Sequence, residues 1–382
     1  SPEGAQVGRA TSPDGITWAR EEANPVIRRG SGGSWDDATT TSGPVIYDGS
    51  GYKIWYCGYD GADYRIGLAT SFDGITWDKH EGNPVFDLGE SGRWDDSDVV
   101  PVTVMYHQSL YKMWYVGRED TTGIWRVGYA TSPDGITWTR YANNPVLDIG
   151  DPGEWDDEDI FMAYVLFNRQ SYEMWYQGHD GSREMKIGYA TSPDGLEWTK
   201  YAENPILVPK SNWETRSIGM GSVLLNEAEY KMWYLGEATS QGRIGYATSP
   251  VTIHVPDDAQ TIQAAIDSAV DGNLVLVDEG TYYENINFKG KAITVASHFY
   301  VDGDSSHKEN TIIDGSQHEN PDSGSVVYFV SGEDTNSVLC GFTITGGSGT
   351  KMINNNLTLK GGAGIRMLLS GGKVENNIIT QN

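Results

Sequence analysis

Cysteine is almost missing from this chain of 382 residues, which carries only Cys57 and Cys340. Two thiols exclude a disulfide scaffold. Each lies inside an apolar strand pattern, where a free cysteine packs as a small apolar side chain, and the redox compartment stays open. Basic residues are scarce as well, 27 Lys and Arg against 53 Asp and Glu, for a net charge of −26. This balance argues against nucleic acid and anionic membrane surfaces as partners, because both are themselves negative. No apolar run reaches the ~18 residues that a membrane-spanning helix requires, so no membrane insertion is expected. The histidines lack His-Glu-x-x-His spacing and the cysteines lack Cys-x-x-Cys, which leaves no zinc site to expect. Gly-x-Ser-x-Gly and phosphate-loop motifs are absent too. There is no initiating methionine and no signal peptide; the chain opens at Ser1 inside a repeat and ends at Asn382 in mid-pattern. A fragment whose true N-terminus is missing is the expectation, and the acidity suits an extracellular or cell-surface protein.

What the chain has in quantity is one stretch, written five times. Val127–Trp138 reads VGYATSPDGITW, and Val7–Trp18, Ile66–Trp77 and Ile187–Trp198 repeat it with few changes. A fifth copy, Ile244–Pro250, stops before its tryptophan. The closing tryptophans recur about every 60 residues, the mark of a repeat architecture. Within a copy, alternating small and β-branched residues run to Ser132, Pro133-Asp134-Gly135 turns the chain, and Ile136-Thr137-Trp138 resumes. That pattern predicts two antiparallel strands around a tight loop. Ahead of the later copies come Tyr52–Gly58, Tyr111–Gly117, Tyr172–Gly178 and Tyr230–Gly236, aromatic stretches that favour a strand. Each of these follows an apolar run. One period is therefore four short antiparallel strands, and residues 1–250 read as blades of a β-propeller. Five hairpins against four Tyr-x-x-Trp-Tyr strands imply a five-bladed type whose first blade is incomplete. The alternative is a four-bladed ring in which the N-terminal hairpin finishes the last blade.

Strand alternation sets Tyr111, Met113 and Tyr115 on one face and Lys112 and Trp114 on the other. Aromatics repeated in every blade are expected to pack blades together, with sugar stacking as the competing reading. The loop between blades ends in tryptophan and acids: Trp35-Asp36-Asp37, Trp94-Asp95-Asp96-Ser97-Asp98, Trp155-Asp156-Asp157-Glu158-Asp159 and Trp213-Glu214. In a propeller this loop enters the innermost strand at the mouth of the central channel, so its carboxylates would converge. Closely spaced acids can divide the work of cleaving a glycosidic bond, one as acid and one as base. Asp98, Glu158, Asp159 and Glu214 are the catalytic candidates on that reading, with Asp37, Asp96, Asp157, Trp35, Trp94 and Trp155 as substrate-binding candidates. The competing reading has the acids cap turns and pair with Arg65, Arg126, Lys186 and Arg243, which recur before each Ile/Val-Gly.

The order Trp-Asp, apolar inner strand, Tyr-Lys-Met-Trp-Tyr, Ala-Thr-Ser-x-Asp-Gly-x-x-Trp, Asn-Pro-Val resembles the five-bladed propeller glycosidases of glycoside hydrolase families 43 and 32. The hairpin also looks like a sialidase Asp-box, one residue short between Asp134 and Gly135. The first resemblance implies an aspartate base, a second aspartate that tunes pKa and a glutamate acid, each on a different inner strand. The place of the base, just ahead of the apolar pair, is held here by Ser42, Pro101, Met162 and Met220, none of which can take a proton from water. The expectation is a carbohydrate-directed protein acting on or binding a polysaccharide or oligosaccharide. A non-catalytic carbohydrate-binding module and a purely structural or interaction repeat protein are the alternatives.

From Val251 the pattern changes. Ile262, Ala265, Ile266, Ala269 and Val270 follow the spacing of a helix with one buried face, with Asp258 expected to cap its start and Gly272 to end it. Short β runs follow without helices: Leu274–Val277, 292–296, 311–313, 326–330, 338–345, 364–369 and 373–380. Residues 251–382 thus resemble the pectin-lyase-like superfamily, a right-handed parallel β-helix of which the capping helix and first coils are present. Asn376 and Asn377 read as a turn ladder. Asp302, Asp304, His307 and Asp314 sit in an expected loop excursion whose oxygens suit Ca²⁺, although no EF-hand spacing supports a site and a solvated loop is the expectation. No cofactor is called for.

Overall fold

The computed structural model describes residues 4–168, 171–182, 184–210, 213–226, 228–238, 242–317, 323–354 and 357–382. Its internal contacts divide the chain into two units, Ser1–Leu224 with Met232–Ala247, and Leu225–Lys231 with Thr248–Asn382.

The first unit is a propeller-like ring of small antiparallel sheets, one sheet per repeat. In a complete blade Asp98–His107 pairs with Leu110–Arg118, which pairs with Trp125–Ser132, which pairs with the two-residue strand Thr139–Arg140. The next blade repeats the order with Asp159–Phe167, Tyr172–His179, Lys186–Ser192 and Thr199–Lys200. In the blade before, Thr39–Thr41 and Val45–Tyr47 share the innermost place against Tyr52–Tyr59. The N-terminal repeat contributes only the hairpin Ala10–Thr11 with Ala19–Arg20, paired with itself.

Each hairpin is tied by its own side chains. Ser132 Oγ accepts the amides of Asp134 and Gly135 at 3.3 and 2.8 Å, and Asp134 Oδ1 accepts those of Ile136 and Thr137 at 2.8 and 2.7 Å. Those bonds, from Thr137 first and then Ile136, hold the Asp134 carboxyl down at about 2. Gly135 has φ +79°, a conformation open to glycine and strained for L side chains. Its carbonyl accepts two indoles, Trp138 Nε1 of its own blade at 3.2 Å and Trp55 Nε1 of the preceding blade at 2.8 Å. Gly195 does the same for Trp198 and Trp114 at 3.1 and 2.9 Å, and Gly15 for Trp18 and Trp233 at 3.0 and 2.7 Å. The inter-blade packing expected of the repeated aromatics is met by Trp55, Trp114 and Trp233. Trp114 reaches the next hairpin, and Lys112 Nζ donates to Tyr172 OH of the next blade at 2.7 Å.

The paired glycines of the repeat seat a tryptophan. Trp94 lies across Gly117 and Gly128, and a Cβ on Gly128 would stand 2.6 Å from Trp94 and 2.8 Å from Tyr115. Asn144 mimics a missing strand, accepting Tyr129 N at 2.8 Å and donating to Tyr129 O at 2.9 Å. Asn24, Asn83 and Asn204 repeat the exchange with Arg9, Leu68 and Tyr189.

The second unit is built on parallel pairing. Thr252–Val255, Leu274–Val277, Thr294–Ser297, Val338–Cys340 and Lys373–Glu375 form one parallel sheet. Gly280–Tyr282, Thr311–Asp314, Thr343–Thr345 and Ile378–Ile379 form a second, and Ile286–Asn287, Val327–Phe329 and Ile365–Met367 a third. Val275, Val295, Leu339, Ile313 and Ile344 share one buried core with the stacked pair Phe288 and Phe329. The helix is Ile262–Ser268, and Ile262, Ala265 and Ile266 enter the same core. Its caps differ from expectation. Thr261 Oγ1 accepts Ala264 N at 3.1 Å and Glu284 accepts Ile262 N and Gln263 N at 2.9 Å each, whereas Asp258 bonds His254 N. The helix stops before Val270 and Gly272 because Ala269 is already extended.

Two expected long strands are each two short ones, bent at Gly341 with φ +84° and at Asn376 with φ +55°. The neighbouring Asn377 spans the turns, accepting Phe342 N and donating to Leu339 O at 2.8 and 2.9 Å. An antiparallel pair, Gly349–Asn354 with Leu357–Gly361, adds to the expected strands. The expected loop excursion holds two short helices, Phe299–Asp302 and Ser306–Asn310. Its acids do not converge. Asp304 and Asp314 accept the amides of Ser306 and Ser316, while His307 stands between Glu279 and Asp302 at 2.9 and 3.0 Å. Among the described residues no group of three or more His, Cys, Asp and Glu is disposed to hold a metal. Both cysteines are buried and unpaired, and burial pushes the Cys57 thiol up to about 12.

Two outcomes are expected. Gly128→Ala should lower unfolding stability by about 1–3 kcal/mol through overpacking, while Gly32→Ala, with nothing near its Cβ, should stay within about 0.5 kcal/mol; urea titration compares them. His307 contacts a carboxylate through both ring nitrogens, which only an imidazolium can satisfy with two N–H groups. Burial lowers its pKa, but the bonds to Glu279 and Asp302 outweigh that, and it lies above the ordinary 6.5. The contribution is fully present below 6.5 and is lost as pH rises through the folded value. Amide exchange over residues 299–310 should therefore lose protection on the alkaline side, and His307→Gln should remove that pH dependence.

Candidate functional site

Most of the acids and tryptophans singled out in the sequence serve the blades. Trp35, Trp94 and Trp155 pack on Tyr56, Tyr115 and Tyr176 at ring separations of 5.5, 5.6 and 5.5 Å. The acid after each is buried beneath: Asp95 Oδ2 accepts Tyr115 OH at 2.9 Å and Arg140 Nε at 2.7 Å. Asp156 receives Tyr176 OH at 3.0 Å and Lys200 Nζ at 2.7 Å, and Asp36 receives Tyr56 OH and Lys79 Nζ. Glu214 occupies the same place, with Tyr234 OH at 2.8 Å, so this catalytic candidate is a member of the packing cluster. Burial, and then the adjacent carboxylate, pushes the Tyr115 phenol well above its usual range.

The substrate-binding candidates Asp37, Asp96 and Asp157 cap their own loops, accepting Gly33 N, Gly92 N and Gly153 N at 2.6, 2.7 and 2.6 Å. Turn capping was one expected role of these acids. The expected cations were wrong, because Arg65 pairs with Asp60, Asp63 and Asp87, Arg126 with Glu119 and Asp148, and Lys186 with Asp180. The buried acids take Lys79, Arg140 and Lys200 from the outermost strands instead. Trp35 and Asp37 line an open depression of about 750 Å³ together with Asp60, Arg65 and Asp87, in which Arg65 is shared by the two acids.

The remaining candidates stand where the inner strands begin, and there the blades stop resembling one another. Thr39, Asp98, Asp159 and Ser217 start these strands. Across the ladder stand Tyr59, Arg118 and His179. The next strand brings Tyr64 opposite Tyr59 and Trp125 opposite Arg118. Tyr59 and Tyr64 stack at 4.4 Å. Asp98 is buried, accepts Tyr64 N of the preceding blade at 2.8 Å and has Arg118 Nε 2.6 Å away. That Nε–H is not directed at the carboxylate, so the contact is Coulombic, and Arg118 Nη2 donates to Ser97 Oγ at 3.0 Å. Burial raises the Asp98 pKa against the Tyr64 amide and the Arg118 charge.

Asp159 repeats the inter-blade bond, accepting Trp125 N at 2.8 Å, with His179 Nε2 at 3.3 Å. Gly181 N donates to His179 Nδ1 at 3.0 Å, so a neutral ring carries its proton on Nε2, facing Asp159. Glu158 is exposed. Sequence reasoning passed over Arg118, Trp125, Phe161 and His179. The signal was there: Tyr64, Trp125, Met185 and Gly242 each precede the recurring basic residue, yet differ from blade to blade.

No family model matches the chain. It is 27% identical over 235 residues to an uncharacterised protein of Mycobacterium tuberculosis, covering 59% of this chain and 75% of that one. A second M. tuberculosis relative, 29% identical over 192 residues, is spanned to 60% of its length. The chain is also 25% identical over 297 residues to a 1,2-beta-oligomannan phosphorylase of Thermoanaerobacter, covering 73% of this chain and 90% of that one. Among solved structures, a glycoside hydrolase superposes with a TM-score of 0.52 at 20% identity over 63% of this chain and 77% of that one. A glycosyl hydrolase from Bacteroides ovatus gives 0.50 at 20% identity, over 63% and 74%. These structural likenesses show a shared propeller fold.

Replacing Asp95 with Ala leaves Arg140 and Tyr115 without their acceptor and should cost about 3–5 kcal/mol of unfolding stability. Asp96→Ala removes loop caps and should cost about 1 kcal/mol. Equal losses in thermal or urea unfolding would contradict the division of roles between the two adjacent acids.

Proposed function

We propose that the chain is a carbohydrate-directed protein, a glycosidase-type propeller that binds oligosaccharide or polysaccharide at the uneven rim where its inner strands begin. The observation that carries this reading is the divergence of otherwise repeated blades at that rim, where Asp98, Arg118, Trp125, Phe161, Asp159 and His179 gather. A binding site is needed once, so it belongs where the repeats differ. The carbohydrate enzymes among the sequence relatives support the same direction.

Binding without hydrolysis is the form the geometry favours. Asp98 and Asp159 each hold an amide of the preceding blade and face a basic partner, which leaves neither free as an acid and base pair. A five-position ring of the family 43 and 32 type belongs to this reading. Trp233 reaches Gly15 just as Trp55 and Trp114 reach the hairpin of the following blade, which supports reading the N-terminal hairpin as a position of its own. The second unit is read as the cap and first coils of a right-handed parallel β-helix, supported by its three parallel sheets and core-facing helix. An extracellular or cell-surface setting is proposed with it, in keeping with the net charge of −26.

A glycan array paired with a panel of aryl glycosides tests the proposal. Binding without turnover is expected. Turnover abolished by Asp98→Asn or Asp159→Asn would favour hydrolysis, and no binding to any glycan would remove the carbohydrate reading.

A further inference from the structure

We infer that the rim takes an uncharged glycan, stacked on Trp125, and excludes uronate, sulfate and phosphate groups; this rests on the carbohydrate reading above. Trp125 is half-buried and held on two sides. Phe161 meets it edge to face at 4.9 Å and 80°, and the Arg118 guanidinium carbon lies 5.8 Å from the ring centre. Such contacts fix the indole without hiding it. Phe161 is placed by a shifted bulge. In the preceding blade the irregularity falls between Pro101 and Thr103 and its extra residue, Val102, is buried. In this blade it falls between Ile160 and Met162, closer to the strand's start, and Phe161 is left without a ladder partner and 38% exposed. Bulges recur where a strand must re-aim a side chain.

The rigid indole offers an apolar surface suited to the C–H face of a pyranose, and the partly exposed Arg118 beside it offers donors for hydroxyls. The surrounding charge decides the ligand's own. Arg118 is matched by Asp98, and His179 faces Asp159. Glu158 is exposed, and the loop from Asp148 to Asp159 that delivers Phe161 carries acids with no Lys or Arg. Exposed cations on the loops that enter the inner strands include Arg28, Arg93, Lys210 and Arg216, each in the entry loop of a blade other than the one that delivers Phe161. An anionic sugar approaching Trp125 therefore meets the exposed acids of the Phe161 loop, with Arg118 beside the ring already matched by Asp98. A phosphate co-substrate is disfavoured on the same ground.

The test is titration calorimetry of the whole chain with neutral hexasaccharides of mannan, xylan and β-glucan, against a galacturonate hexasaccharide and inorganic phosphate, at low and high salt. At least one neutral oligosaccharide should bind, with affinity indifferent to salt. Trp125→Ala should weaken it roughly tenfold, Trp125→Phe should restore part of the loss, and Phe72→Ala, on a hairpin elsewhere and 91% exposed, should change nothing. Binding of galacturonate alone would overturn the inference and leave the carbohydrate reading standing, as would neutral binding that Trp125→Ala leaves intact; binding of phosphate alone would overturn both. If no sugar binds, both fail together.

Discussion

A single backbone oxygen, the carbonyl of the tip glycine in the hairpins of Gly15, Gly135 and Gly195, ties neighbouring blades together. It accepts the indole of its own blade and the indole of the blade before, as Gly135 does for Trp138 and Trp55. Two large side chains are thus bonded at one point, and every neighbouring core is positioned from it. The requirement explains why the hairpin motif varies so little. Glycine is needed for the positive φ, serine and aspartate for the amides that the turn exposes, and tryptophan for a long N–H donor with an apolar body.

The second recurring device makes the same demand on charge. An acid beneath each Trp–Tyr pair is buried, and a buried carboxylate is tolerated only when it is paired and hydrogen-bonded. The blade supplies a phenol from its second strand and a Lys or Arg from its outermost strand, as Asp95 shows with Tyr115 and Arg140. Acids bound in this way brace the sheet from its inner edge to its outer one. They are unsuited to catalysis for the same reason that they are good braces, since each is buried and already held by a phenol, and three of them by a cation as well. Chemistry and recognition are left to the rim, where no repeated contact constrains the residue type.

Much of the fold was legible because it rests on local patterns. Alternation, turn residues and a period near 60 residues specify hairpins and blades without long-range information. The parallel strands after Val251 were legible for a similar reason, although Gly341 and Asn376 bent two of them where an unbroken strand was expected. The helix caps were misplaced because Glu284, 22 residues on, supplies a carboxylate that no local rule anticipates. The candidate site was legible only in outline. Asp98 and Asp159 were singled out, but Glu214 and the tryptophans were grouped with them, although their repetition already pointed to packing.

By itself the sequence determined the repeat, its strand order, its turn chemistry and its acidity, all of which follow from residue type and spacing along the chain. Only tertiary structure decided which acids are braces and which stand at the rim. The partners that make the difference are 43 to 45 residues away, as Lys79 is from Asp36 and Arg140 from Asp95. A carboxylate's role depends on burial and on the donors around it, and both exist only once the outermost strand has folded back beside its own blade's entry loop.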